Sequence, residues 1–314
     1  MADNGIRGKP DMSVEIAGVR LRNPVIAASG TFGFGREYAQ IIDAAALGGI
    51  CTKGLTLEAR AGNAGERVWE TPAGMLNSIG LENPGIRAFV ERDLPRMRAL
   101  GPAVIANLCG STLEEYERGA EILGGSDVDI VELNISCPNV KAGGMAFGLD
   151  PKMAGEATGR VRSALGGKPL MAKLSPNAAD LALVARACVD AGADALSLVN
   201  TFKAMAIDAR ARRPVFDNVF AGLSGPAIKP LALRMVWELR AAVGARIPIV
   251  GMGGIACAED ALEFLMAGAS AVQVGSATFA RPSAMAEIAL GIEEYMAERG
   301  FAAIPEISIR EGHP

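Results

Sequence analysis

Residues 247–279 read IPIVGMGGIACAEDALEFLMAGASAVQVGSATF and hold two short apolar runs, Ile247–Gly254 and Ala271–Ala277, separated by the amphipathic stretch Ala258–Met266. Both runs are apolar at successive positions, so they predict strands buried on both faces, as in a parallel sheet with helices outside and side chains within. The stretch between them carries apolar residues at helical spacing. Strand, helix and strand in this order make one βαβ unit.

The same alternation recurs upstream. Further strands are expected at Pro24–Gly30, Gly49–Gly54, Ala103–Gly110, Asp129–Ser136, Leu170–Ser175 and Ala195–Thr201. Helical spacing marks Arg36–Ala46, Asn83–Leu100, Ser111–Leu123, Pro151–Leu165, Ala178–Ala191, Pro230–Val243 and Pro282–Arg299. Eight strand–helix units predict an α/β fold of the (β/α)8 TIM-barrel type, and a length of 314 residues suits one such domain over residues 1–314. Two long excursions are expected, near 57–81 and 138–149. Loops of that length often close over or line a binding site.

Composition narrows the function. Half the residues are hydrophobic, only 5% are aromatic, and the mean hydropathy is +0.25, as expected for a folded aliphatic core. The net charge of -4 arises from interspersed acids and bases, which leaves no footprint for nucleic acid or an anionic membrane. No N-terminal export signal and no run of about 18 apolar residues is present, so a cytoplasmic protein is expected. The cysteines Cys51, Cys109, Cys137, Cys188 and Cys257 form no CxxC pair, which argues against structural zinc or an iron–sulfur cluster in this chain. The only histidine is His313, so histidine catalysis and histidine metal ligation are not expected, and no metal site is assigned.

Strand ends in such a barrel converge on one mouth. Here they carry Ser29, Lys53-Gly54, Asn107, Asn134, Lys173, Asn200-Thr201, Gly253-Gly254 and Gly275-Ser276. Any one of these could simply end a strand or start a turn, but their recurrence points to a site. Glycines after the seventh and eighth strands let backbone approach an anion, which suits a phosphate-bearing ligand as well as tight turns. Lys53 and Lys173 sit in apolar runs and each needs an anion, supplied either by a core acid or by a ligand. Cys137 precedes Pro138 and a glycine-containing loop; a thiol with an ordinary pKa of about 8.5 is a usable base if a cation or dipole lowers it, and otherwise a small hydrophobe. Asn77, Asn134, Asn139 and Asn200 offer paired donors and acceptors of the kind a flat pyrimidine requires, although each could equally be a cap or turn residue.

Between Asn23 and about Phe279 the chain resembles the class 1 dihydroorotate dehydrogenases. The resemblance rests on NPVIAASGTFGFG, TKGLT, ETPAGMLNSIGLENPG, ELNISCPNVKAGGMAFG, LVNTF, GLSGPAIKP, IVGMGGI and VQVGSA. NVKAGGMAFG and MLNSIGLEN are similar to the NAD-linked 1B branch. The quinone-linked class differs in using a serine base and a membrane helix.

This resemblance implies an FMN held by Ser29, Lys53, Gly54, Asn107, Asn134, Lys173, Val199, Gly225, Gly253, Gly254, Gly275 and Ser276. It implies a substrate site of Lys53, Asn77, Ser78, Ile79, Gly80, Leu81, Asn134, Asn139, Asn200 and Thr201. Many relatives have Thr where Ser276 stands, and the hydroxyl is kept. It further implies oxidation of dihydroorotate to orotate, with Cys137 and Lys53 as the catalytic residues: Cys137 takes the C5 proton, FMN accepts hydride from C6, and Lys53 stabilises charge on the flavin or the substrate carboxylate. The 1B branch implies a partner subunit carrying FAD and a [2Fe–2S] cluster, which passes electrons to NAD in a heterotetramer. Competing expectations are a dihydropyrimidine dehydrogenase-like reductase, a fumarate-linked homodimer, and a colourless barrel using Lys173 as a Schiff-base lysine.

Overall fold

The computed structural model describes residues 9–136 and 147–309. Eight short parallel strands close into a barrel: β1 Val25–Ala27, β2 Gly49–Cys51, β3 Ala103–Leu108, β4 Ile130–Asn134, β5 Leu170–Lys173, β6 Ala195–Leu198, β7 Ile249–Met252 and β8 Ala271–Val274. Each falls inside its expected range. They neighbour one another in chain order, with β8 paired to β1 through Val272↔Val25 to complete the ring. The (β/α)8 expectation is therefore met.

Outside the ring lie α1, whose pieces Ile86–Ala88 and Leu94–Arg98 are joined by a π turn at Phe89–Asp93, then α2 Leu113–Gly124, α3 Pro151–Ala164, α4 Leu181–Asp190, α5 Lys229–Val243, α6 Ala258–Met266, the short α7 Ala277–Ala280 and α8 Ala284–Arg299. Side-chain caps fix several starts. Thr112 accepts from the Glu115 N–H, Asp150 from Met153 and Asp180 from Leu183, each satisfying a donor that the first helical turn leaves open. Pro95, which has no N–H, interrupts the α register of the first helix where the π turn lies.

One helix expectation fails. Arg36–Ala46 forms only two 3-10 turns, Tyr38–Gln40 and Ala44–Ala46. Asp43 is extended between them and its side chain accepts from the Ala45 N–H, so a side-chain bond competes with helix propagation.

Inside the barrel, period-2 alternation sends Cys51, Asn107, Glu132, Lys173, Ser197 and Gln273 towards the axis. Register agrees: Asn107 pairs with Glu132, Asn134 with Lys173, and Ser197 with Lys173. The main apolar core runs from Val14 to Ile307 and fills the space between strands and helices.

Of the two excursions expected, the one near 57–81 rises from the mouth and the one near 138–149 lies largely outside the described residues; a further excursion was not expected. It follows β6, and its strands Phe202–Met205 and Phe220–Ser224 pair with each other; Phe220–Ser224 also pairs with Gly74–Asn77 of the earlier insertion, which pairs in turn with Val68–Thr71, making one four-stranded antiparallel sheet. Leu76, Val215, Phe216 and Ala221 form a small separate core beneath it. The pairing joins segments about 150 residues apart, for example Leu223↔Leu76, so no local pattern announces it.

Candidate functional site

A cavity of about 260 Å³ opens at the C-terminal ends of the strands. One water needs only about 10–15 Å³ on the same measure, so the space suits an organic ligand of many atoms. Its lining collects residues from all parts of the chain, which is the expected consequence of barrel topology.

Every residue expected to hold the cofactor lines this cavity: Ser29, Lys53, Gly54, Asn107, Asn134, Lys173, Val199, Gly225, Gly253, Gly254, Gly275 and Ser276. Of the substrate set, Lys53, Asn77, Ile79, Gly80, Leu81, Asn134, Asn200 and Thr201 line it too. Ser78 does not; it is buried, and its Oγ accepts from Asn63 Nδ2 at 3.0 Å. Cys137 and Asn139 lie outside the described residues.

At one end of the cavity, β7 and β8 run into Gly253-Gly254 and Gly275-Ser276. A Cβ on Gly254 would approach the Gly225 carbonyl and the Lys229 backbone N at 2.9 Å, and both Gly225 (φ +103°) and Gly254 (φ +77°) adopt backbone that L side chains rarely take. Glycine is required there because three backbone segments meet.

The floor is polar and fully buried. Glu132, 0% exposed, accepts from Asn107 Nδ2 (2.5 Å), Ser197 Oγ (2.8 Å), Gln273 Nε2 (2.8 Å) and Cys51 Sγ (3.3 Å), and lies 3.9 Å from Lys173 Nζ. Those partners come from five other strands. Burial pushes the Glu132 pKa up, but the Lys173 charge and the bonds from Ser197, Gln273 and Cys51 outweigh it and leave the carboxyl below its ordinary range. Burial, with Glu132 alongside, drives the Cys51 thiol well up, so Cys51 is a structural thiol. Oε1 of Gln273, a cavity-lining residue, has no hydrogen-bond partner among the described residues.

Nearer the rim, Lys53 Nζ stands 3.9 Å from Glu82, which Arg67 grips at 2.7 Å. The Arg67 bond and then the Lys53 charge hold the Glu82 carboxyl below its usual range. Asn77 donates to the Gly222 carbonyl (3.3 Å), and Asn200 Nδ2 donates to Ser136 Oγ (2.7 Å). The Leu198–Val199 peptide beside them is cis.

The two lysines thus resolve differently. Lys173 has the core acid that sequence reading held open, and it lines the cavity as well; Lys53 is partly exposed and only loosely paired. Sequence reading overlooked Glu132 and Gln273, although a Glu and a Gln inside otherwise apolar strands were the available signal. It also overlooked apolar wall residues such as Met75, Ile228 and Met252, which look like ordinary core in a sequence.

Known proteins point the same way. The family model described as dihydroorotate dehydrogenase matches residues 11–296. The chain is 55% identical over 301 residues to a protein of Geotalea uraniireducens named dihydroorotate dehydrogenase B (NAD(+)), catalytic subunit, covering 96% of this chain and 98% of that one. Proteins of the same name from Petrotoga mobilis (54% over 297 residues, 95% and 98% covered) and Geobacter sulfurreducens (54% over 300 residues, 95% and 97% covered) are similar to it as well. Among the described residues no helix is long and apolar enough to cross a membrane. On the barrel, its mouth and these relatives together, the chain belongs to the dihydroorotate dehydrogenase family.

Proposed function

We propose that this chain oxidises dihydroorotate to orotate in pyrimidine biosynthesis, as the FMN-carrying, NAD-linked catalytic subunit of a two-component enzyme. One observation carries the reading: glycine turns suited to a phosphate, two lysines and a set of asparagines meet in a single cavity.

The residues present fit FMN. Gly253, Gly254, Gly275 and Ser276 would hold the phosphate through backbone N–H groups and a hydroxyl, where a side chain on Gly254 would collide with backbone. Ser29, Gly54, Asn107, Asn134, Val199 and Gly225 would line the ring and ribityl chain, and Lys173 would place its ammonium at the ring. The buried, unpartnered Oε1 of Gln273 is an acceptor of the kind a ring N–H would satisfy. Bound FMN supplies the hydride acceptor for C6 of the substrate.

This chain's residues then do the positioning and the proton chemistry. Asn77, Asn134, Asn139, Asn200 and Thr201 would orient the pyrimidine, with Ile79, Gly80 and Leu81 forming the adjoining wall and Ser78 supporting it from behind through Asn63, and Lys53 would meet the substrate carboxylate. Cys137 would remove the C5 proton as general base. Holding the substrate flat in this cavity would turn a bimolecular encounter into an oriented, effectively intramolecular one.

The partner is read as an iron–sulfur flavoprotein subunit with FAD and a [2Fe–2S] cluster, two copies of each subunit forming a heterotetramer. The name "catalytic subunit" borne by the relatives supports a partner. Residues 1–314 are read as one domain, located in the cytoplasm. The test is purification with and without the candidate partner, followed by flavin absorbance and assay with dihydroorotate and NAD. A yellow protein that reduces NAD only with the partner is expected; a colourless one, or turnover of dihydrouracil but not dihydroorotate, overturns the reading.

A further inference from the structure

Two cations share one carboxylate oxygen at the rim of the cavity. Arg67 Nη1 donates to Glu82 Oε2 at 2.7 Å, and Lys53 Nζ lies 3.9 Å from the same atom. The shorter contact is a charge-assisted hydrogen bond, while the longer one is beyond hydrogen-bond reach and acts through charge alone. Glu82 is therefore committed to Arg67, and the Lys53 ammonium donates no hydrogen bond to it.

The grip is built into the first insertion. Arg67 immediately precedes the strand Val68–Thr71, and its carbonyl accepts the Ser78 N–H at 2.8 Å, which fixes its backbone against the segment that runs on to Glu82. Gly62, at φ +81°, leaves room for the guanidinium, since a Cβ there would stand 3.2 Å from Arg67 Nη1. Lys53 and Leu81 line the cavity, whereas Arg67 and Glu82 do not.

An acid beside the cation that is to receive a substrate carboxylate works against binding, because it repels the incoming anion and competes for the same ammonium. The Glu82 side chain is 45% exposed, and exposed side chains change rotamer within nanoseconds, so packing does not keep it off Lys53. We propose that Arg67 is a positioning residue: it holds the Glu82 carboxylate, neutralised, away from Lys53 and so keeps the Lys53 charge for the carboxylate of the substrate. The inference deepens the dihydroorotate dehydrogenase reading and rests on it. The Arg67 bond and the Lys53 charge keep the Glu82 carboxyl below its usual range, so near neutrality it carries a full negative charge.

A surface ion pair with no such role predicts another pattern: losing either partner costs a little stability, and losing the second restores nothing at the cavity. The test is titration of the FMN-loaded full chain with orotate, read from the perturbation of the flavin absorbance, across a cycle of variants. Arg67→Met frees Glu82 to move onto Lys53 and should weaken orotate about threefold to fivefold, the scale of one partly exposed ion pair, with FMN affinity retained. Glu82→Gln removes the competing charge and should tighten orotate about twofold. Adding Glu82→Gln to Arg67→Met should return the affinity to at least the wild-type value. These differences should shrink between about 0.01 M and 1 M salt, because solvent-exposed charges are screened.

Unchanged orotate affinity in Arg67→Met overturns the proposal, as does a double variant that binds no better than Arg67→Met alone. Should Arg67→Met not accumulate as folded protein, Glu82→Gln decides by itself: tighter orotate supports the proposal, and equal or weaker binding overturns it. A colourless wild-type protein that ignores orotate is a different result, since it overturns the dehydrogenase reading and this inference with it.

Discussion

At the N-terminal ends of the strands, Asp129 accepts from Arg98 (2.5 Å) and from the Val104 N–H (2.7 Å), and Asp194 accepts from Arg162 (2.7 Å) and from the Leu170 N–H (2.8 Å). Arg240 likewise binds the Gly268 and Ile247 carbonyls. At the opposite ends of the same strands, Lys53, Asn77, Asn200 and Gln273 face a cavity, and Gln273 Oε1 has no hydrogen-bond partner among the described residues. Polar groups at the bottom of the barrel are satisfied within the chain, while those at the mouth keep bonding capacity for a ligand. The first arrangement stabilises; the second binds.

Breaking the mouth should harm chemistry, and breaking the bottom should harm only stability. The largest effect is expected for Cys137→Ala, which should lower kcat by about 10²–10⁴ with flavin retained; unchanged turnover at neutral pH would remove Cys137 as the base. Lys173→Ala leaves Glu132 as an uncompensated buried charge and should cost about 3–5 kcal/mol, visible as a lower urea midpoint.

Acid should act on the same pair. The folded-state pKa of Glu132 lies below its ordinary 4.5, so its contribution is present above pH 4.5 and lost as pH falls through the folded value. Melting temperatures between pH 6 and pH 3 should fall more steeply for wild type than for Glu132→Gln; parallel curves would contradict the assignment.

At the bottom, Asp194→Ala strands the Leu170 N–H and should cost about 1–3 kcal/mol in denaturation while kcat stays at the wild-type value. A matching loss of kcat would erase the contrast between the two ends. The smallest change belongs to the helix surface: Arg234→Ala removes an exposed pair with Glu238 and should cost about 0.3–0.5 kcal/mol.

Much of this contrast is legible before folding. Buried strands ending in Lys53-Gly54, Asn134, Lys173 and Gly253-Gly254 mark the mouth, because burial on both faces and a terminal polar residue are local features of a chain. Glu132 was not legible as part of the site: one acid in an apolar strand does not reveal that its partners are Cys51, Asn107, Lys173, Ser197 and Gln273 on five other strands. The Arg36–Ala46 stretch misled for the converse reason. Its apolar spacing suits a helix, but Asp43 bonds its own neighbourhood instead.

By itself the sequence determined the eight barrel strands, seven of the eight helices between them, the glycine turns after the last two strands and the thiol at Cys137, since hydrophobic period and residue type are properties of short segments. Tertiary structure alone decided that β8 meets β1, that Phe220–Ser224 pairs with Gly74–Asn77, and that one carboxylate on the barrel axis touches five other strands. Those contacts join residues far apart in the chain, and closure of the barrel is what brings them within reach.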